Sequence, residues 1–218
     1  MKTNYNIFEL IKRAKTYRPI NPESSASSFA EWVFRLSHNL IYPSSSGQNK
    51  THSRKSQSDP FVEKDIRIIS ETISSLRNNE SYNKGWHLIY ADQNSNKDKI
   101  FKASNLKVSN QVLRCKLDAV LLHYPTDEIL IIERKIMGAY KLHEQIPTDS
   151  YPNIRAQLWC YSKIDDWKSI NKITLMDEIW RRNKVSNILS PPKVRRTWLH
   201  TDPSIIDMER LFSIYSGY

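Results

Sequence analysis

A run of four large aliphatic residues, Ile129-Leu130-Ile131-Ile132, stops abruptly at Glu133-Arg134-Lys135. Such a run predicts a buried strand with a charged cluster at its end. A second stretch rich in Leu and Val precedes it, and Pro125-Thr126-Asp127 lies between the two. The pattern predicts a hairpin of strands Val112–Tyr124 and Glu128–Ile136. Asp118 and Glu133 are roughly equidistant from the turn, so antiparallel pairing brings them to nearby rungs, within reach of one ion. Glu133 and Lys135, two apart, project from one face. Arg134 points the other way, which leaves its backbone carbonyl as a further oxygen ligand.

Two carboxylates this close repel, and burial adds to the cost. An adjacent ammonium, Lys135, offsets part of it, and a hard cation such as Mg²⁺ or Mn²⁺ offsets more. A bound cation lowers the pKa of water and stabilises charge on a phosphoryl oxygen. The same residues could form a plain ion pair in a sheet. The Asp at hairpin distance and the apolar run before Glu133 favour the catalytic reading.

Charge agrees with that reading. The chain has 33 Lys and Arg against 23 Asp and Glu, a formal net charge of +10. Basic clusters at Lys12-Arg13-Lys15-Arg18, Arg54-Lys55, Arg181-Arg182-Lys184 and Lys193-Arg195-Arg196 suit a polyanion. A basic surface kept for solubility would look similar. Only 4 Gly occur, and no glycine-rich phosphate loop, which argues against ATP, GTP or NAD chemistry. The 2 cysteines, Cys115 and Cys160, are too few for a disulfide scaffold or a four-Cys metal site, and both read as buried thiols. No apolar run has membrane-spanning length and no signal-peptide core is present, so the expected location is cytoplasmic, without membrane contact.

Three regions follow from patterning. Residues 1–42 form an N-terminal helical extension: Ile7, Phe8, Leu10, Ile11 and Ala14 have helical spacing, and Ser24–Ser28 offers N-caps for a helix carrying Phe29, Trp32, Val33, Leu36 and Leu40. Residues 43–59 are a flexible polar loop. Residues 60–218 form the main domain. Asp59-Pro60 opens a helix with Ile66, Ile69, Ile73 and Leu76, then Trp86–Tyr90 is a strand and the hairpin follows. A polar connection spans 139–152, and Asn153 caps a helix with Ile154, Leu158, Tyr161 and Ile164. Strands Lys172–Trp180 and Val194–His200 flank a Pro191-Pro192 turn, and a helix closes the chain from about Ile205 to Tyr215. The fold class is α/β, a central mixed sheet flanked by helices.

Asp118, Glu133-Arg134-Lys135, Gln157 and Tyr161 together resemble the PD-(D/E)xK nuclease superfamily, most closely its RecB-like exonuclease branch. Gln157 and Tyr161 are four apart on a helix, hence on one face, and look like the branch's Gln-x-x-x-Tyr element. The resemblance covers roughly residues 60–165. It departs at Leu117, where the superfamily often has Pro, and at Cys115, where the branch favours Gly. It implies a restriction-endonuclease-like core and Mg²⁺-dependent hydrolysis of DNA to 5′-phosphate and 3′-hydroxyl ends. In it, Asp118 and Glu133 hold the metal, Lys135 acts on the water, and Gln157 with Tyr161 supports the site.

Other candidates are weaker. Glu71, beside an apolar helical stripe, is a possible further metal ligand, although a solvated helical Glu is the commoner case. His87 reads as a structural histidine. Lys141 follows the active strand, and Arg181, Arg182, Arg195 and Arg196 with Trp180 and Trp198 could track a phosphate backbone. The rival function is a catalytically silent subunit of a larger restriction or antiviral defence complex. It would bind nucleic acid, or dock a protein partner or a second copy through the N-terminal helices.

Overall fold

A computed structural model of the chain describes residues 6–38, 85–91, 99–137, 150–170, 172–182 and 189–217, with backbone alone at 136–137, 180–182 and 189–195. In chain order the elements are α1 (Ile7–Thr16), α2 (Ala26–Ser37), β1 (Trp86–Ala91), β2 (Phe101–Val108), β3 (Gln111–Cys115), β4 (Ala119–His123), β5 (Glu128–Met137), α3 (Pro152–Tyr161), β6 (Lys172–Arg182), β7 (Leu189–Leu199), α4 (Pro203–Ile206) and α5 (Met208–Ser216). The main sheet has the order β1-β4-β5-β6-β7. Among the described strands of this sheet only β5 and β6 run parallel; the other neighbouring pairs are antiparallel. A parallel pair needs a crossover, and α3 lies between these two strands in sequence and packs on both. The protein is therefore α/β, with a mixed five-stranded sheet flanked by helices.

The aliphatic run lies mid-sheet, on β5, and both of its faces are covered. Ile129 and Ile131 join the larger core with Leu175, Ile179 and the helices, while Leu130 and Ile132 join Leu121, Met176 and Trp86 on the opposite face. By alternation Glu133, Lys135 and Asp177 lie on the helix side, and Arg134 and Glu178 on the other. On the helix side Phe29 of α2 sits among Trp159 of α3 and Phe212 and Tyr215 of α5, with ring centroids 5.2–6.2 Å away. Asn6 caps α1 and Ser25 caps α2 through their side chains.

Several elements differ from the sequence reading. The expected strand Val112–Tyr124 is broken at Lys116–Asp118. Its first part, β3, pairs with β2 in a separate two-stranded sheet. Ser24 holds that hairpin to the start of α2: its hydroxyl donates to the carbonyls of Gln111 and Val112, and its carbonyl accepts from Arg114 N–H. β2 itself was not foreseen, because its buried positions are interleaved with Lys102, Ser104, Asn105 and Lys107 and its register shifts midway. The N-cap of α3 is Tyr151, with Pro152 in the first position, so Asn153 lies inside the helix. Pro191 and Pro192 do not make a turn. They lie within β7, where the register against β6 shifts between Val194 and Ser190, so that neither proline is a ladder partner. The closing helix is divided at Asp207, after a short turn of helix capped by Asp202. The expected helix from Asp59, the loop 43–59, Leu40, Glu71 and Lys141 lie outside the described residues.

Candidate active site

The β4–β5 register pairs Ala119 with Ile132, so one step further sets Asp118 opposite Glu133. Asp118 has just left the strand, and its carboxylate accepts the backbone N–H of Arg134 at 2.6 Å. In a strand a residue's N–H and C=O share an edge, so the Arg134 carbonyl also belongs to the Asp118 side. The Arg134 side chain crosses to the opposite face, where its Nε meets Glu178 at 2.9 Å in a buried ion pair.

Glu133 is the hub. Its Oε1 accepts from the Lys135 ammonium. Its Oε2 lies 3.1 Å from the Tyr161 hydroxyl. Lys135 Nζ also donates to Gln157 Oε1 at 3.1 Å, and Gln157 Nε2 donates to the Tyr161 hydroxyl at 2.5 Å. That hydroxyl is within donating reach of the Lys116 carbonyl as well, at the strand break. Asp118, Glu133, Lys135, Gln157 and Tyr161 thus come together. The network fixes the amide orientation of Gln157: its oxygen faces the ammonium and its nitrogen the phenol.

Electrostatics follow from this crowding. Burial, then the neighbouring Glu133, push the Asp118 carboxyl up to about 8. Burial opposes charge on Lys135, but the carboxylates of Glu133 and Asp118 outweigh it and hold the amine above its ordinary value. Lys135 is therefore a permanent cation at neutral pH. Burial, with Glu133 and Asp118 alongside, raises the Tyr161 phenol well above its ordinary value and keeps it neutral. Burial likewise pushes the Cys115 thiol up to about 12 and raises Cys160, so both buried thiols stay protonated.

A third acid was missed from sequence. Asp177 on β6 pairs with Glu133 in register and with Arg196 on β7. Fully buried, it accepts from the Ser150 hydroxyl and from the Arg196 N–H at 3.0 Å, with the Arg196 guanidinium 3.5 Å away. Burial raises its carboxyl above the ordinary range, although the Ser150 and Arg196 contacts act the other way. Ser150 holds a φ of 60°, an uncommon conformation that ties the entry of α3 to the strand beside Glu133. The signal was present: Asp177-Glu178 interrupts an apolar strand as Glu133 does.

Of the remaining candidates, Arg196 and Trp198 share the helix side of β7, as alternation requires. Arg181, Arg182 and Arg195 lie in β6 and β7, with only their backbone described. His87 is exposed on β1, its ring 4.9 Å from Tyr124.

Among the described residues no group of three or more His, Cys, Asp or Glu is arranged to hold a metal ion. The donors on offer are two carboxylates, Asp118 and Glu133, and the Arg134 carbonyl. All are hard oxygens, and a set this sparse fits Mg²⁺, which keeps several waters and takes one or two carboxylates beside substrate phosphate.

No protein-family model matches the chain, and no curated protein matches it either. One solved structure, described as "Crystal structure of SSO0001", aligns over 98% of this chain and 87% of its own length at 10% identity. Its TM-score is 0.31, too low to carry a structural argument. No helix among the described residues is long and apolar enough to cross a membrane.

Proposed function

We propose that this chain is a divalent-metal-dependent nuclease that hydrolyses phosphodiester bonds of DNA on a restriction-endonuclease-like core. The observation that carries the reading is the convergence of Asp118, Glu133 and Lys135 on the central strand β5, just past the point where its pairing with β4 ends, braced by Gln157 and Tyr161 from α3.

Asp118, Glu133 and the Arg134 carbonyl would hold the cation. When bound, it supplies an acidified water and a counter-charge for the phosphoryl oxygens. The protein's own part is positional and electrostatic. Lys135, held charged by its two carboxylate neighbours, cannot take a proton from the water. Two of its three N–H groups go to Glu133 and Gln157, which leaves one to donate to the water oxygen or to the oxygen on which charge develops. Gln157 accepts a second N–H of the ammonium and so helps fix its position. Tyr161 holds the remaining oxygen of Glu133 and so sets that carboxylate's rotation.

The test is cleavage of plasmid and linear DNA by the purified full chain, with Mg²⁺ or Mn²⁺ and with chelator. Expected is cation-dependent cutting by the natural chain and none by Asp118→Ala. Equal cutting by the two proteins overturns the assignment. Binding of nucleic acid without cutting, in either metal, hands the chain to the silent-subunit reading.

A further inference from the structure

The break at Lys116–Asp118 has a second consequence. From Leu113 to Asp118 burial alternates without interruption. Leu113, Cys115 and Leu117 are buried, Arg114 and Lys116 are exposed, and Asp118 is half-buried. The exposed side of β3 thus leads through Arg114 and Lys116 to Asp118 at the strand break. Across the hairpin Lys102 is the direct partner of Arg114, and Lys107 lies on the same strand; both are exposed. Like charges set directly opposite destabilise a two-stranded sheet. Among the described residues none of these four cations is in an ion pair. Two acids of the segment after α3 lie against this hairpin and are already partnered: Asp165 accepts from the N–H and hydroxyl of Ser104 on β2 and pairs with Lys168, and Asp166 pairs with Lys99. The hairpin is anchored through Ser24 and by its buried face, so it presents this charge on a fixed surface.

We propose that the solvent face of the β2–β3 hairpin is the track along which a nucleic-acid strand reaches the site. Lys102, Lys107, Arg114 and Lys116 contact successive phosphates. Lys116 is two residues, roughly 7 Å of extended chain, from Asp118. Its carbonyl already accepts from Tyr161, so the end of the track and the site are one piece of structure. The partner is a phosphate backbone, because the face offers cations and no large apolar patch or base-stacking aromatic.

This deepens the nuclease reading, and binding without cleavage separates the two. Fluorescence anisotropy with a labelled oligonucleotide, in chelator, is measured across about 50 to 200 mM salt. The variants are Lys102→Gln/Lys107→Gln/Lys116→Gln and a control of equal charge loss outside every basic cluster, Arg35→Gln/Lys163→Gln/Arg210→Gln. None of these six side chains is buried, so folding is preserved, which matching thermal unfolding confirms. Arg114 is left intact because its Nε also donates to the Ser24 carbonyl. The hairpin variant is expected to bind at least about tenfold more weakly, with a salt slope smaller by about 2 to 3, while the control stays within about threefold. Equal losses in both variants, wild-type binding by the hairpin variant, or no binding by the natural chain overturns the proposal. So does a hairpin variant that loses binding only to phosphatidylserine vesicles. If the hairpin variant loses binding but the natural chain never cuts with Mg²⁺ or Mn²⁺, the track stands and the nuclease reading fails.

Discussion

Lys135 donates to both Glu133 and Gln157, and this double contact separates its role from simple ion pairing. A structural lysine could be replaced at the cost of stability alone. Here Lys135→Met should lower the rate of metal-dependent cleavage by about 10² to 10³, the cost of removing one electrostatic stabiliser, and leave oligonucleotide affinity in chelator nearly unchanged. Single-turnover kinetics beside anisotropy would check it. Asp118 makes a pH prediction. Its folded-state pKa is raised, so the folded chain binds the proton more tightly than the unfolded chain does. The resulting stability is full below the ordinary carboxylate pKa of 3.8 and is lost as pH rises towards about 8. Thermal unfolding in chelator should show this loss between about pH 4 and 8. Asp118→Asn should flatten it, and saturating Mg²⁺ should shrink it. A slope unchanged in Asp118→Asn would show that other groups govern the titration.

At the scale of elements, the site depends on how α3 meets β5. Tyr161 reaches from the last turn of that helix to Glu133 and to the carbonyl at the strand break. Tyr161→Phe removes the one hydroxyl hydrogen that Glu133 and the Lys116 carbonyl share and the oxygen to which Gln157 donates, in a buried setting, and should cost about 1–3 kcal/mol. It should also lower cleavage more than it lowers binding, since it frees the Glu133 carboxylate to rotate. The start of α2 is a second such junction. Ser25 accepts from Ser28 N–H at 3.1 Å while Ser24 secures the hairpin. Ser25→Ala should therefore cost about 1 kcal/mol, the usual value of a lost N-cap, read as a lowered unfolding midpoint in denaturant. The serine cap of α2, the helical stripes of α1 and α2 and strand β5 were legible in the residues, because each depends on neighbours within a few positions; the cap of α3 and the break in the strand before Asp118 were not. β2 was not, because an alternating strand with polar exposed positions looks like loop until a partner buries its other face.

For the molecule as a whole, Phe29 joins the N-terminal helices to the helices that cover the sheet. Phe29→Ala should cost about 3–5 kcal/mol, lower the melting temperature by about 10 °C or more, and unfold in one transition by calorimetry, since one core holds both parts. The chain by itself determined the pairing of Asp118 with Glu133, because a short turn and the two-residue period of strands leave the register little freedom. It also determined that Gln157 and Tyr161 share a helix face. Whether that face would turn towards Glu133, and that Asp177, Arg196 and Ser150 would gather beside it, was decided only in three dimensions. Those contacts join residues far apart in sequence through a parallel crossover, and no local spacing encodes which strand a helix will pack against. The basic face of the hairpin has the same origin. Lys102 and Arg114 oppose each other because β3 pairs with β2 in a separate sheet instead of continuing into β4, at a break that no Pro or Gly marks.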